Sequence, residues 1–126
     1  MRNNLRTISL VVVSLLPVSV PLFAHHGTAV YDTSKMVTVK GTVTEYVWAN
    51  PHVYVKVDAK DDSGNTMHWA LEAQNPISET EVGWTKNTFK PGDEVEVEVK
   101  PAKNGRPVGS IGYTTRIIIN GKQFKP

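Results

Sequence analysis

Three histidines are the residues of this chain best suited to holding a metal ion. His25 and His26 are adjacent, and His52 follows the rigid dipeptide Asn50-Pro51. If export removes residues 1–24, the α-amine and the imidazole of His25 chelate one ion, and His26 or His52 is the candidate third nitrogen. A three-nitrogen set suits Cu(II), and an α-amine loses its proton readily to a metal near neutral pH. The sequence predicts copper at His25, His26 and His52; the alternative is that His25 and His26 form a solvated arm that binds nothing.

A second group of candidates surrounds the bend before His52. The candidate ligand-binding residues are Tyr46, Trp48, Asn50, Tyr54 and Glu72. Exposed aromatic rings are common stacking surfaces for ligands. Tryptophan is usually well buried, however, so Trp48 is also a candidate core residue. This group predicts an alternative function, which is a metal-free module that binds an envelope partner, a peptide, a glycan or another small ligand.

Catalytic patterns are weak in this sequence. The Gly-Ser-Ile-Gly stretch at residues 109–112 lacks the strand, turn and helix that a nucleophile elbow requires. No cysteine is present, so a disulfide, a thiolate metal site and a cysteine nucleophile are all excluded. The sequence therefore favours a binding protein, with an oxidative or hydrolytic enzyme as the remaining alternative.

The first 24 residues have the layout of a secretory signal peptide. Arg2 and Arg6 precede an uncharged apolar run at residues 8–23, which ends at Ala24. Two prolines interrupt the run, and it is short for a membrane span of about 20 residues. We predict a signal peptide at residues 1–24 and a single exported domain at residues 25–126, which is not a membrane protein after cleavage.

The charge of that predicted domain argues against nucleic acid as a partner. The full chain has 14 basic and 12 acidic residues. Loss of Arg2 and Arg6 leaves 12 basic residues against the same 12 acidic ones. A neutral domain lacks the positive surface that binding to a phosphate backbone requires.

The apolar pattern predicts the fold. Alternating residues indicate five strands, of which the first is long and interrupted at Gly41, where a strand bends or is closely approached. Asn75 and Pro76 begin a short helix after the third strand, with only Ile77 and Val82 offering an apolar side. The last strand is expected at residues 110–119. This order predicts an all-β fold, an OB-like five-stranded barrel with one short helix between strands 3 and 4; a small β-sandwich is the alternative.

The faces of the second and third strands predict their register. Keeping the valines and the apolar residues of the third strand on one side pairs Val57 with Trp69. That register places Asp58 opposite His68, and His52 near Glu72 on the other face.

Several motifs together resemble a known family of small exported bacterial proteins, the domain of unknown function 6152. The most specific are the opening histidine pair and the Asn-Pro-His triplet at residues 50–52. The histidine pair is part of His25-His26-Gly27 with Ala29-Tyr31-Asp32. The others are Gly41-Thr42-Val43, Trp69 with Glu72, Gly83-Trp84, Lys90-Pro91-Gly92-Asp93 and Pro101-Ala102 with Asn104-Gly105. The resemblance implies a periplasmic location in a Gram-negative bacterium, and it implies no activity.

Overall fold

The computed structural model describes residues 30–125, which form seven strands and one short helix. The elements in chain order are β1 (Val37–Val47), β2 (Tyr54–Lys60), β3 (Thr66–Glu72), α1 (Pro76–Glu81), β4 (Glu94–Pro101), β5 (Val108–Ser110), β6 (Ile117–Ile119) and β7 (Lys122–Gln123). The predicted signal peptide and the His25-His26 pair lie outside the described residues.

The long strand β1 closes the barrel because it pairs with two neighbours. Its first half pairs antiparallel with β4, and its second half pairs antiparallel with β2. The sheet continues from β2 to β3, then to β5 in parallel, and from β5 back to β4. This closed five-strand order, with α1 between the third and fourth strands, is that of an OB-fold barrel and confirms the predicted fold.

Gly41 lies where β1 passes from one neighbour to the other. It is paired with Ala59 of β2 and with Val95 of β4. A Cβ at this position would lie 2.1 Å from the backbone oxygen of Asp58. The glycine is therefore required by the close approach of β2, as the interruption in the apolar pattern predicts.

The predicted β2–β3 register is confirmed. Val57 is paired with Trp69, and Asp58 is paired with His68. The Nδ1 atom of His68 lies 2.6 Å from Oδ1 of Asp58, on the outer surface. Because side chains alternate along each strand, the valines of β2 face inward. There they join the valines of β4, Leu71 and Phe89 in one buried core.

The prediction of a single last strand at residues 110–119 is wrong. β5 and β6 pair with the same edge of β4, but a turn at residues 112–115 separates them. In this turn the hydroxyl of Thr115 accepts a hydrogen bond of 2.8 Å from the backbone N–H of Gly112. A threonine side chain that bonds the backbone locally competes with the sheet ladder, which explains the break.

Helix α1 begins as the sequence predicts but buries a different side chain. Asn75 caps it through a 3.0 Å hydrogen bond from the N–H of Ser78, and Pro76 is the first helical residue. Ile77 is 73% exposed, whereas Glu79 is buried. One oxygen of Glu79 accepts a 2.7 Å hydrogen bond from the N–H of Gln74, which ties the carboxyl group to the entry of the helix. Burial raises the pKa of Glu79, and this hydrogen bond partly opposes the rise.

Replacement of Gly41 should destabilise the barrel. We expect Gly41→Ala to lower the free energy of unfolding by about 1–3 kcal/mol, which is the usual effect of overpacking. The reason is that the backbone of Asp58 must move to admit the methyl group. Chemical denaturation measures the change. Thr38→Ala, at an exposed position of the same strand, is the control and should change it by less than about 1 kcal/mol. Equal losses in the two variants would contradict the close-approach explanation.

The buried carboxyl group of Glu79 should make stability depend on pH. Because its pKa is raised in the folded state, its stabilising contribution is full at low pH and is lost as pH rises through that pKa. Glu79→Gln removes the charge and keeps the oxygen that accepts from Gln74. The wild type should therefore lose stability relative to this variant as the pH rises from about 4 to about 8.

Denaturation across that pH range tests the expectation, with Glu81→Gln at an exposed position of the same helix as the control. A difference between Glu79→Gln and the wild type that does not change with pH would contradict it.

Candidate functional site

A cavity of about 320 Å³ opens on the barrel surface at the ends of β3 and β5. It lies where the segment that precedes β1 crosses the barrel. The lining side chains that carry polar or charged groups include Tyr31, His52, Glu72, Gln74, Lys100 and Ser110. Two of the sequence candidates, His52 and Glu72, are therefore together at one site.

The carboxylate of Glu72 is the centre of this site. Glu72 is the last residue of β3, and its pairing with Tyr54 of β2 places the two side chains next to each other. The Tyr54 hydroxyl donates a 3.2 Å hydrogen bond to Oε1, and the Tyr31 hydroxyl donates to Oε2. Nδ1 of His52 lies 3.3 Å from Oε1. The carboxylate thus has three donor groups around it, from two separate segments of the chain.

His52 is held in one orientation by the backbone just past the end of β3. Val53 and Ala73 extend the β2–β3 pairing past the ends of the strands, through hydrogen bonds of 2.9 Å. Nδ1 of His52 lies 3.1 Å from the carbonyl oxygen of Ala73. A carbonyl oxygen only accepts, so Nδ1 carries the proton and Nε2 of the neutral ring has a free lone pair. A ring held in this way by a carbonyl or a carboxylate is typical of metal-binding histidines.

Tyr31 belongs to the site although the sequence analysis did not select it. Its side chain is only 6% exposed. Burial is the main cause that raises the pKa of its hydroxyl, followed by the hydrogen bond to Glu72. The hydroxyl therefore keeps its proton and donates to the carboxylate. The one sequence signal for this residue is its place in the motif that starts with the histidine pair.

The segment around Tyr31 is fixed to the end of β4. Tyr31 forms an isolated antiparallel bridge with Ala102. The N–H of Asp32 donates to the oxygen of Pro101 at 2.8 Å, and the N–H of Lys103 donates to the oxygen of Val30 at 3.0 Å. The described chain thus begins beside the cavity.

The aromatic candidates divide between two places. Tyr54 lies beside Glu72, whereas Tyr46 and Trp48 are partly buried against the core. The ring of Tyr46 packs edge-on against Phe89 at 5.3 Å between centroids, and its hydroxyl donates to the oxygen of Thr85 at 2.9 Å. Burial raises the pKa of Tyr46. Asn50 is exposed, and its peptide bond to Pro51 is cis.

Within residues 30–125, no three metal-ligating side chains come together as a site. His52 is the described member of the predicted copper set, and the other two members precede the described residues. No helix in the described part of the chain has the length and apolar character to span a membrane.

The fold and the cavity define a small OB-like barrel with a polar surface site. A model of a family of unknown function, DUF6152, matches residues 12–111, and the chain belongs to this family. The predicted resemblance is thereby confirmed. A search of curated proteins finds no match.

One solved structure with a similar fold is the mitochondrial single-stranded DNA-binding protein Rim1 from S. cerevisiae. It is 12% identical, with a TM-score of 0.48, and the match covers 68% of this chain and 93% of Rim1. A likeness this slight says nothing about the ligand of the present chain, and the barrel is defined by its own strand order.

Removal of the central carboxylate should destabilise the site. Glu72→Ala leaves the buried Tyr31 hydroxyl without its acceptor, and we expect the free energy of unfolding to fall by about 1–3 kcal/mol. Chemical denaturation measures the loss. Glu45→Ala removes an exposed carboxylate of β1 and should cost no more than about 1 kcal/mol. The same small change in both variants would show that Glu72 is not structurally important.

Proposed function

We propose that this chain is an exported, periplasmic protein that binds one Cu(II) ion. The ligands in this proposal are the α-amine and imidazole of His25 and the imidazoles of His26 and His52. The observation that carries it is the environment of His52, whose Nδ1 is bound to a backbone carbonyl and lies beside Glu72. Nε2 is then the nitrogen available to a metal at the cavity.

The length of the chain before Tyr31 supports the proposal. Tyr31 and His52 line the same cavity. His25 precedes Tyr31 by six positions, and an extended chain spans at most about 3.3–3.6 Å per residue. His25 is therefore within about 20 Å of Tyr31, a distance that allows its two nitrogens to reach the cavity.

The charge of the cavity also bears on the proposal. Glu72 supplies a negative charge next to His52, which favours a bound cation and strengthens the imidazole as a ligand. Lys100 lines the same cavity and partly offsets that charge. A cavity that contains both a negative and a positive charge is compatible with a metal ion, because the affinity of Cu(II) depends strongly on the type of its ligand atoms.

Metal-free binding of a peptide, a glycan or another small envelope ligand at this cavity is the second candidate. The cavity volume lies at the lower end of the range for small-molecule sites, and Tyr54 is close to it. Tyr46 packs against Phe89, and both Tyr46 and Trp48 are partly buried against the core instead of joining Tyr54 in one stacking surface. We therefore favour the metal ion.

Copper titration of correctly processed protein tests the proposal. Intact mass first establishes that the mature chain begins at His25, and calorimetry then measures binding of Cu(II). We expect one ion per chain, and His52→Ala should weaken binding by at least about tenfold because one imidazole ligand is lost. A mature chain that begins with one extra alanine before His25 should also bind weakly, since its α-amine is displaced.

His68→Ala is the matched control, because His68 is an exposed histidine paired with Asp58 on the β2–β3 hairpin. It should bind copper as the wild type does. No binding by the wild type, equal affinity in His52→Ala, or a mature chain that begins elsewhere would each overturn the proposal. Binding of a peptide or glycan that chelators leave unaffected would support the second candidate.

A further inference from the structure

We infer that the cavity binds a free α-amino acid, with the ammonium group of the ligand at Glu72 and its carboxylate at Lys100. Among small ligands, the charges of the cavity select the zwitterionic ones. The inference goes beyond the proposed copper function, because neither Glu72 nor Lys100 is a copper ligand there and no metal takes part in this binding.

Strand pairing places the two charged side chains in one row. Glu72 of β3 is paired with Ser110 of β5, and Ser110 is paired with Lys100 of β4. Leu71 and Val99, which precede Glu72 and Lys100 in the chain, are buried in the core. Alternation along each strand therefore turns Glu72 and Lys100 to the outer face. There the cavity is lined by a negative group, a hydroxyl and a positive group in succession.

Lys100 has no charged partner in the described part of the chain. It is partly buried at the end of β4, and no carboxylate within residues 30–125, Glu72 included, forms an ion pair with it. Lys40 and Lys56, on other strands, pair with glutamates. A partly buried ammonium group without a counter-ion favours an anionic group of a ligand, because the anion replaces interactions lost with water.

The carboxylate of Glu72 has room for one more donor. Its two oxygens offer about four acceptor positions. Tyr54 and His52 lie at Oε1, whereas Tyr31 alone donates to Oε2. The side chain is 23% exposed, so a ligand in the cavity can reach it. An ammonium group of the ligand can therefore donate to Oε2 without displacing the tyrosines.

The separation of the two charges matches the length of an α-amino acid. Neighbouring strands lie about 4.7–4.9 Å apart, so Glu72 and Lys100, two strands apart, are separated by about 9–10 Å. Strand side chains stand roughly perpendicular to the sheet, which keeps their charged ends at a similar separation. An amino acid spans about 3 Å from its nitrogen to a carboxylate oxygen, and with a hydrogen bond of about 2.8 Å at each end it bridges about 9 Å.

The size of the cavity also suits a single amino acid. Its volume of about 320 Å³ is at the lower end of the range for small-molecule sites. Ala73 and Ile111 are apolar members of its lining and can contact an apolar side chain of the ligand. L-Leucine is therefore a suitable probe.

Nuclear magnetic resonance titration of the metal-free protein, with a chelator present, tests the inference. We expect L-leucine to shift the amide signals of Glu72 and Ser110. N-acetyl-L-leucine lacks the ammonium group and L-leucinamide lacks the carboxylate. Each should bind at least about tenfold more weakly, because one hydrogen bond between charged groups is lost. No shift with L-leucine, or equal affinity for the three compounds, would overturn the inference.

Lys100→Met and Lys103→Met form a matched pair of variants. Lys103 is an exposed lysine that follows the same strand and does not line the cavity. We expect Lys100→Met to lower the affinity for L-leucine about tenfold and to leave that for L-leucinamide unchanged, since L-leucinamide has no carboxylate to contact the lysine. Lys103→Met should bind both compounds as the wild type does. Wild-type affinity for L-leucine in Lys100→Met, or an equal loss for both compounds, would overturn the role of Lys100.

The amino-acid and copper proposals fail separately. If the wild type binds L-leucine in the presence of a chelator but does not bind Cu(II), the proposed function fails and the amino-acid site stands. If it binds Cu(II) through His52 but does not bind L-leucine, the proposed function stands and the amino-acid site is overturned.

Discussion

The structure depends on the close approach of β2 to β1 at Gly41. The first half of β1 pairs with β4 and the second half with β2, and the missing side chain of Gly41 leaves room for the backbone of Asp58 where the two pairings overlap. Closure of the barrel then lets the inward valines of β1, β2 and β4 form a single core. A domain of this size without cysteines relies on such a core for its stability.

The same closure brings the polar site together. β3 ends at Glu72, beside the start of β2 and beside the parallel strand β5. The cavity forms at this corner, with His52 from the bend before β2 and Tyr31 from the segment that crosses β4. Segments far apart in sequence therefore contribute donors to one carboxylate because the strand order places them at the same end of the barrel.

Strand periodicity made the central part of the site predictable. A period of two assigns every residue of β2 and β3 to one face, so the pairing of Val57 with Trp69 carries His52 to the neighbourhood of Glu72. The contact of Tyr31 with Glu72 was not predictable, because the segment before β1 has no period and the two residues are 41 positions apart.

Two other features depended on local hydrogen bonds that apolar patterns do not report. The Thr115 hydroxyl breaks the expected last strand, and the bond from Gln74 to Glu79 buries a carboxyl group where Ile77 was expected to face the core. In both places a side chain bonded to nearby backbone overrides the hydrophobic pattern.

The turn between β5 and β6 has a consequence for how the site can diversify. The chain leaves the edge of β4 after Ser110 and returns to the same edge at Ile117. The pairings of β5 and β6 with β4 therefore do not depend on how many residues the loop between them contains. This loop starts at the cavity, where Ile111 and Gly112 form part of the wall. A change in the length or composition of this one loop would therefore reshape the mouth of the cavity while the barrel keeps its register.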